Sequence, residues 1–397
     1  MKSKPPSPRA AATRAAHLGR DPDGFHGAVN TPVYYASTIL FPTLKALERD
    51  GRAPASYGRR LTPTVRALQD ALTELEGGAH SVLTPSGVAA IALVMFAFVK
   101  SGDHILLTDN AYGPTQFLSR RFLERFGITA DYYDPRCGAR LTDYLRPETK
   151  LVFVESPGSL TFELQDVPAI VRAAHQGGAL VAMDNTWATP IFFQPLKHGV
   201  DVSLQSGTKY LVGHADAMIG TVTTTRAHWP RLLEAHRAFG LRAGPEEIFL
   251  ALRGLRTLPL RLEQHSRQGI QLAHWLEEQP QVAKVLHPAL PSSPDYALWK
   301  RDFSGAAGLF SIILKPHQPQ SLAAMLDKMR FFKMGYSWGG YESLILPAKV
   351  KRRFETLPSG QLLRLHIGLE SVEDLQADLA AGLKRLKPLK PPKRRAR

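Results

Sequence analysis

Two short apolar runs, residues 179–183 and 202–204, each hand over at the C-terminal end to a chemically loaded turn. The first is followed by Asp184-Asn185-Thr186 and the second by Ser206-Gly207-Thr208-Lys209. A helix-compatible stretch lies between them, so the unit reads as βαβ. That pattern restricts the chain to an open α/β sheet, in which the carboxyl ends of parallel strands face one crevice and ligands bind there. Asp184 and Lys209 are thereby directed towards a common site. Taken singly, each has an ordinary reading: Asp184 with Asn185 suits a turn, Lys209 suits a solvated loop, and a Ser/Gly/Thr cluster is common loop chemistry. Their coincidence on successive strand ends favours a site.

The set matches what pyridoxal 5′-phosphate asks of a protein: an amine for its aldehyde, a carboxylate for its pyridine nitrogen and donors for its phosphate. Lys209, Asp184 and the hydroxyls of Ser206 and Thr208 supply all three. The carboxylate keeps the ring nitrogen protonated through a charge-assisted hydrogen bond. A third segment, Ser81-Val82-Leu83-Thr84-Pro85-Ser86-Gly87-Val88-Ala89-Ala90, passes from a brief strand through a turn into an Ala-rich helix. Free backbone N–H groups at Gly87 and Val88 would face an anion there, and Gly87 permits close approach. The same stretch also reads as a plain helix capped by Ser86.

Further motifs are Tyr57-Gly58-Arg59, Asp109-Asn110-Ala111-Tyr112-Gly113, Glu155-Ser156-Pro157-Gly158-Ser159, Tyr336-Ser337-Trp338-Gly339-Gly340-Tyr341-Glu342-Ser343-Leu344 and Arg364-Leu365-His366-Ile367-Gly368-Leu369-Glu370. With these, the chain resembles the Cys/Met-metabolism family of pyridoxal phosphate enzymes over most of its length. The resemblance implies a large α/β domain of the aspartate aminotransferase-like fold type I, with a mostly parallel sheet, and a smaller C-terminal α/β domain. It implies that Lys209 holds the cofactor and moves the substrate's proton, and that Tyr112 stacks on the pyridine ring. Arg364 grips the substrate's α-carboxylate, a task suited to a bidentate guanidinium, and Ser337 and Trp338 line the same pocket. Tyr57 and Arg59 are carried over to the phosphate of a neighbouring subunit's cofactor, with Tyr57 also facing that subunit's substrate. The active sites would then be shared within a homotetramer, a dimer of dimers.

Ser159 with Leu160, and Trp338, stand where γ-acting relatives usually carry an Asn-Pro pair and a leucine. The implied reaction is therefore α,β-elimination of cystathionine to homocysteine, pyruvate and ammonia, a step of methionine biosynthesis. Another carbon–sulfur lyase or γ-acting enzyme of the family shares every cofactor residue and stays open, as does a basic-tailed binding or regulatory protein on the same fold. The segment Glu234-Ala235-His236-Arg237-Ala238-Phe239 does not match the family pattern and is a candidate border of the substrate entrance. A nicotinamide dehydrogenase is disfavoured, because the chain contains no Gly-x-Gly.

Residues 1–60 are expected to form an arm contacting a neighbouring subunit, 61–255 the cofactor domain, 256–386 the C-terminal domain and 387–397 a basic mobile tail. A periodic helix is expected over 255–278, strands over 308–314 and 362–367, a helix over 322–331 and a last helix from the Ser371-Val372-Glu373-Asp374 box. In the second of those strands, alternation sets Leu363, Leu365 and Ile367 on one face and Arg364 with His366 on the other; taken alone, the arginine reads as solvent-facing.

The net charge of +15 at pH 7 looks at first like a nucleic-acid signal. Residues 1–20 hold five Lys/Arg and residues 384–397 hold eight, with no acid in either, so 13 of the 15 charges sit at the ends. Both ends are expected to be mobile arms without a core to join, which makes nucleic acid an unlikely partner. The single cysteine, Cys137, fits a reducing compartment, and no run approaches the roughly 18 apolar residues of a membrane span. A cytoplasmic enzyme acting on a small amino-acid thioether is the expectation. His104, His214 and His366 lack ligand spacing, so no structural metal is expected.

Overall fold

The computed structural model describes residues 10–49 and 55–389. Seven strands form one sheet: β1 (His80–Thr84), β2 (His104–Thr108), β3 (Thr129–Tyr133), β4 (Thr149–Glu155), β5 (Leu180–Asp184), β6 (Val202–Ser206) and β7 (Gly220–Thr224). Their order is β1-β7-β6-β5-β4-β2-β3. β3, β2, β4, β5 and β6 pair in parallel, while β7 runs antiparallel between β6 and β1. β2, β4 and β5 have continuous apolar middles because both faces are covered, whereas β6 alternates, with Ser203 and Gln205 turned to Glu76. Val152, Val154, Val181 and Met183 face one core; Leu151, Phe153, Ala182 and Leu204 face the other, which contains the apolar helix Gly87–Phe98. The link between β5 and β6 is shorter than a full helix, consisting of the turns Thr189–Phe192 and Pro195–His198, each with a proline at its start.

A second, antiparallel sheet has the order β10-β11-β9-β8, from β8 (Val282–Leu286), β9 (Leu309–Leu314), β10 (Leu344–Ala348) and β11 (Leu362–His366). Its core joins Phe310, Ile312, Leu363, Leu365 and Ile367 to helix Val372–Leu383. The expected strand alternation is present, with Arg364 and His366 turned away from that core. The helix expected over 322–331 is shorter and earlier, at Pro319–Leu326. Ser371 does not cap the last helix; its hydroxyl donates to Glu373 instead.

The long helix begins ten residues before the expected position and runs Pro245–Glu277. Gly244-Pro245-Glu246-Glu247 explains this start: a proline at the first helical position and two acids beside the positive end of the helix dipole. The helix crosses residue 255 without interruption, and buries Leu255, Leu258 and Leu262 in the core of the large sheet and Leu272, Ala273 and Leu276 in that of the small one.

The expectation of a mobile N-terminal arm is corrected for residues 11–18. They form helix Ala11–His17 with Ala15 fully buried, and Arg256 donates to the carbonyls of Ala15 (3.0 Å) and Leu18 (2.6 Å). Small alanine side chains let this helix lie close to its neighbours, and the arginine satisfies carbonyls that a helix end leaves open. At the other end, Gln318 N donates to the Lys387 carbonyl at 2.9 Å, so the basic tail is paired as far as it is described. The remaining tail charges lie outside the described residues, at 1–9 and 390–397.

Candidate active site

The carboxyl ends of β4, β5 and β6, the turn after β1 and the residues around β11 enclose a cavity of about 390 Å³. Lys209, Asp184, Ser206, Thr208, Gly87, Val88, Tyr112, Arg364, Ser337 and Trp338 all line it. A larger cleft of about 720 Å³ contains none of these residues. Arg59, His236 and Arg237 border that larger cleft, so the Glu234–Phe239 segment does not border the Lys209 cavity as expected. Tyr57 and Arg59 lie on an exposed turn, with the guanidinium carbon 5.6 Å from the tyrosine ring centre, and neither lines the Lys209 cavity.

Backbone constraints bring the strand ends together. Ser86 is extended (φ −162°) and its hydroxyl accepts from Ala89 N at 3.1 Å, so the expected cap is formed. That leaves the earliest N–H groups of helix Gly87–Phe98 directed at the cavity. A Cβ on Gly87 would come within 2.5 Å of the Ser206 Cβ, which explains the glycine: the helix start and the end of β6 are in contact. These features make a cradle fit for a phosphate.

Asp184 is held by its own turn. Thr186 N donates to its Oδ1 at 2.9 Å, the Thr186 hydroxyl donates to the same oxygen, and Ser206 N in turn donates to that hydroxyl at 2.8 Å. Burial pushes the Asp184 carboxyl up; the two Thr186 hydrogen bonds and the Lys209 charge pull against it. A second carboxyl, Glu155, ends β4 directly beside Asp184 in the strand register, also lines the cavity, and is pushed well up by burial and by its neighbour's charge. Of the two, Asp184, whose Oδ1 is held by both Thr186 donors, is the carboxyl suited to a cationic ring nitrogen. Sequence reading missed Glu155 as a site residue, although its Glu-Ser-Pro motif was in view.

Lys209 follows β6 on a turn closed by its N–H to the Ser206 carbonyl at 3.1 Å. Its amine donates to the Ser337 hydroxyl and lies 5.4 Å from the Trp338 ring centre. Burial, and then the positive charge of Arg364, lower this amine to about 8, against the opposing pull of Asp184. Arg364 donates to the Ser337 carbonyl at 2.8 Å, while its buried Nε has no partner among the described residues. A buried guanidinium with an unused N–H is a ready receptor for a carboxylate. Tyr112, 43% exposed as a residue, precedes helix Gly113–Phe117, and its N–H donates to Glu155 Oε2 at 2.7 Å. Its phenol is raised by burial and by the charges of Glu155 and Asp184.

Residues 12–384 match the family model described as "Cys/Met metabolism PLP-dependent enzyme". The chain is 48% identical over 376 residues to a putative cystathionine beta-lyase of Rhizobium johnstonii, covering 93% of this chain and 95% of that protein. It is 46% identical to the cystathionine beta-lyase of Escherichia coli K12 over 94% of this chain and 98% of that one. Among solved structures it matches a cystathionine gamma synthase from Xanthomonas oryzae pv. oryzae with a TM-score of 0.88 and 34% identity, covering 95% of this chain and 98% of that chain.

Proposed function

The chain belongs to the Cys/Met metabolism PLP-dependent enzymes, and on that premise we propose that it is a carbon–sulfur lyase cleaving cystathionine between Cβ and sulfur, giving, with one water consumed, homocysteine, pyruvate and ammonia. The observation that carries the reading is a lysine amine lowered to about 8, the Asp184 carboxyl and an arginine with an unused N–H, all lining one cavity. The names of the two relatives at 46 and 48% identity support the choice of bond.

Pyridoxal phosphate, when bound, supplies an electron sink conjugated to the substrate's Cα. The residues around it divide the remaining work. The Gly87 and Val88 amides and the Ser206 and Thr208 hydroxyls hold the phosphate, and Asp184 keeps the ring nitrogen protonated. Tyr112 covers the ring. Arg364 binds the substrate carboxylate and so orients Cα, with Ser337 and Trp338 closing the wall. Lys209 would anchor the cofactor, and its amine is the base placed to take the substrate's Cα proton. A lysine in water is protonated almost completely at neutral pH; lowering it to about 8 raises the free-base share by two orders of magnitude or more. Tyr57 and Arg59 contribute from a neighbouring subunit.

The test is an absorption spectrum of the wild type beside Lys209→Ala, followed by product analysis with cystathionine. We expect a visible cofactor band in the wild type, pyruvate with homocysteine as products, and a loss of about 100- to 10,000-fold in turnover for Lys209→Ala. The solved gamma synthase keeps γ-chemistry as the second reading. Release of 2-oxobutyrate with cysteine would move the reaction to Cγ and overturn the β-lyase assignment.

A further inference from the structure

Glu155 is buried at the cavity wall, yet the chemistry derived above gives it nothing to do. Its position is fixed by β4, whose parallel register with β5 sets Glu155 opposite Asp184. Asp184 takes its donors from Thr186. Glu155 takes one from a different element, the Tyr112 N–H at 2.7 Å, and a further hydrogen bond from the Ser159 side chain.

The segment around Tyr112 shows what that bond is for. Before it, Ala111 N donates to the Thr108 carbonyl at 3.1 Å and the Thr108 hydroxyl donates to Asn110 Oδ1 at 2.6 Å. After it, Gln116 N donates to the Tyr112 carbonyl at 3.1 Å and Gln116 Nε2 to the Ala111 carbonyl at 2.7 Å. Asn110 is also held from outside, its carbonyl accepting from Ser159 N at 2.7 Å and its Nδ2 donating to Glu163. Tyr112's own N–H is tied across to the end of β4, and the residue as a whole is 43% exposed. The helix it starts carries no side-chain cap and passes after five residues into the π-helical stretch Leu118–Phe122.

We infer that Glu155 is a positioning residue: by accepting the Tyr112 amide, its carboxyl oxygen fixes the backbone from which the tyrosine ring projects over the bound cofactor. This rests on the reading that Tyr112 covers the cofactor ring. Burial and the adjacent Asp184 charge favour the neutral carboxyl, and a neutral group needs only its oxygen to do this work. A glutamine therefore replaces it, whereas a leucine of similar bulk does not.

The experiment uses the pyridoxal phosphate-loaded protein and compares Glu155→Gln, Glu155→Leu and Tyr112→Ala with the double variant Glu155→Leu/Tyr112→Ala. The readouts are the induced visible circular dichroism of the bound cofactor, the split between kcat and KM, and the unfolding temperature of each protein. Glu155→Leu is expected to lose most of the induced band and about tenfold in kcat, with KM and unfolding temperature near wild type. Glu155→Gln is expected to keep both within about twofold. In the Tyr112→Ala background Glu155→Leu should add nothing further, because it acts through the tyrosine. Should Glu155→Leu not fold, Glu155→Asp, whose oxygen is drawn back by one methylene, takes its place with the same expectation. A Glu155→Gln protein as impaired as Glu155→Leu, a Glu155→Leu protein with a wild-type band, or additive effects in the double variant would each overturn the inference. The circular dichroism reports ring orientation whichever bond is cleaved, so failure of the β-lyase reading in the product assay leaves this test intact.

Discussion

Lys209 and Glu76 are both buried ionisable groups, and burial moves them in opposite directions because it penalises whichever form is charged. The lysine falls to about 8 and becomes a usable base. Glu76 is fully buried and rises to about 7, although Ser203 (3.0 Å) and Gln205 donate to it. The folded state therefore binds a proton more tightly than the unfolded chain between about pH 4.5 and 7. Stability from this group is fully present below the unfolded value and is lost as pH rises through the folded one, by roughly 3 kcal/mol across the window. A Glu76→Gln protein should escape that loss, since the amide oxygen can accept one donor and the Ser203 hydroxyl can rotate to accept from the amide nitrogen. Denaturant unfolding at pH 4.5 and pH 8 checks it: the variant should gain on the wild type between the two, and parallel pH curves would contradict the account. Lys209 and Asp184 could be read from the sequence because each ends a strand in a motif. Glu76 and Glu155 could not, since their environments depend on strand register and helix docking that no local window contains.

Among the elements, the turn 337–340 does most to join the small sheet to Lys209. Gly339 adopts φ +89°, and a Cβ placed there would come within 2.9 Å of the Lys209 carbonyl carbon and the Tyr210 nitrogen. The buried His366 Nε2 lies 3.2 Å from the Gly339 nitrogen and 3.0 Å from the Gly340 carbonyl, accepting from the first in one tautomer or donating to the second in the other. The turn is thus gripped from β11 and pressed onto the lysine's main chain. Gly339→Ala meets backbone rather than a flexible side chain, and left-handed geometry adds about 1 kcal/mol of strain. We expect a loss of at least about tenfold in kcat, because displacing Lys209 misaligns the base. At Gly340 a Cβ would meet only Ala215, at ordinary contact distances of 3.4 Å to its Cβ and 3.6 Å to its nitrogen, so Gly340→Ala should stay within about twofold of wild type. Steady-state kinetics on the pair checks the contrast, and equal losses would refute it. This turn was legible as a motif but not as a contact. The start of the long helix and the helix at residues 11–17 were likewise missed, the first because its Pro-Glu-Glu signal lies ahead of the periodic stretch. The second was missed because a basic, Ala-rich stretch reads as solvated until the helix that buries Ala15 is in place.

At the scale of the whole molecule, the cavity carries a phosphate cradle of amides and hydroxyls, but its lining cations among the described residues, Lys209 and Arg364, have other tasks in the proposed chemistry. A phosphate carries up to two negative charges, and amide donors alone leave them poorly compensated. Arg59 has the right chemistry, yet it stands on an exposed turn beside another cleft, outside the cavity of its own chain. Supply of that arginine by a second copy resolves the mismatch, and a twofold-symmetric dimer would exchange the residue in both directions. The arrangement makes a prediction that no single-chain site shares. Lys209→Ala and Arg59→Ala, each purified alone, should be impaired. When they are co-expressed, each mixed dimer contains one site with both residues intact, the lysine from one chain and the arginine from the other. Random pairing puts half of all dimers in the mixed class, with one intact site in two, so activity should return to about a quarter of wild type. The assay is thiol release by the co-expressed mixture against equal amounts of the separately purified variants. Recovery would establish that the site is built across two subunits, whereas activity no higher than the Arg59→Ala contribution would confine it to one.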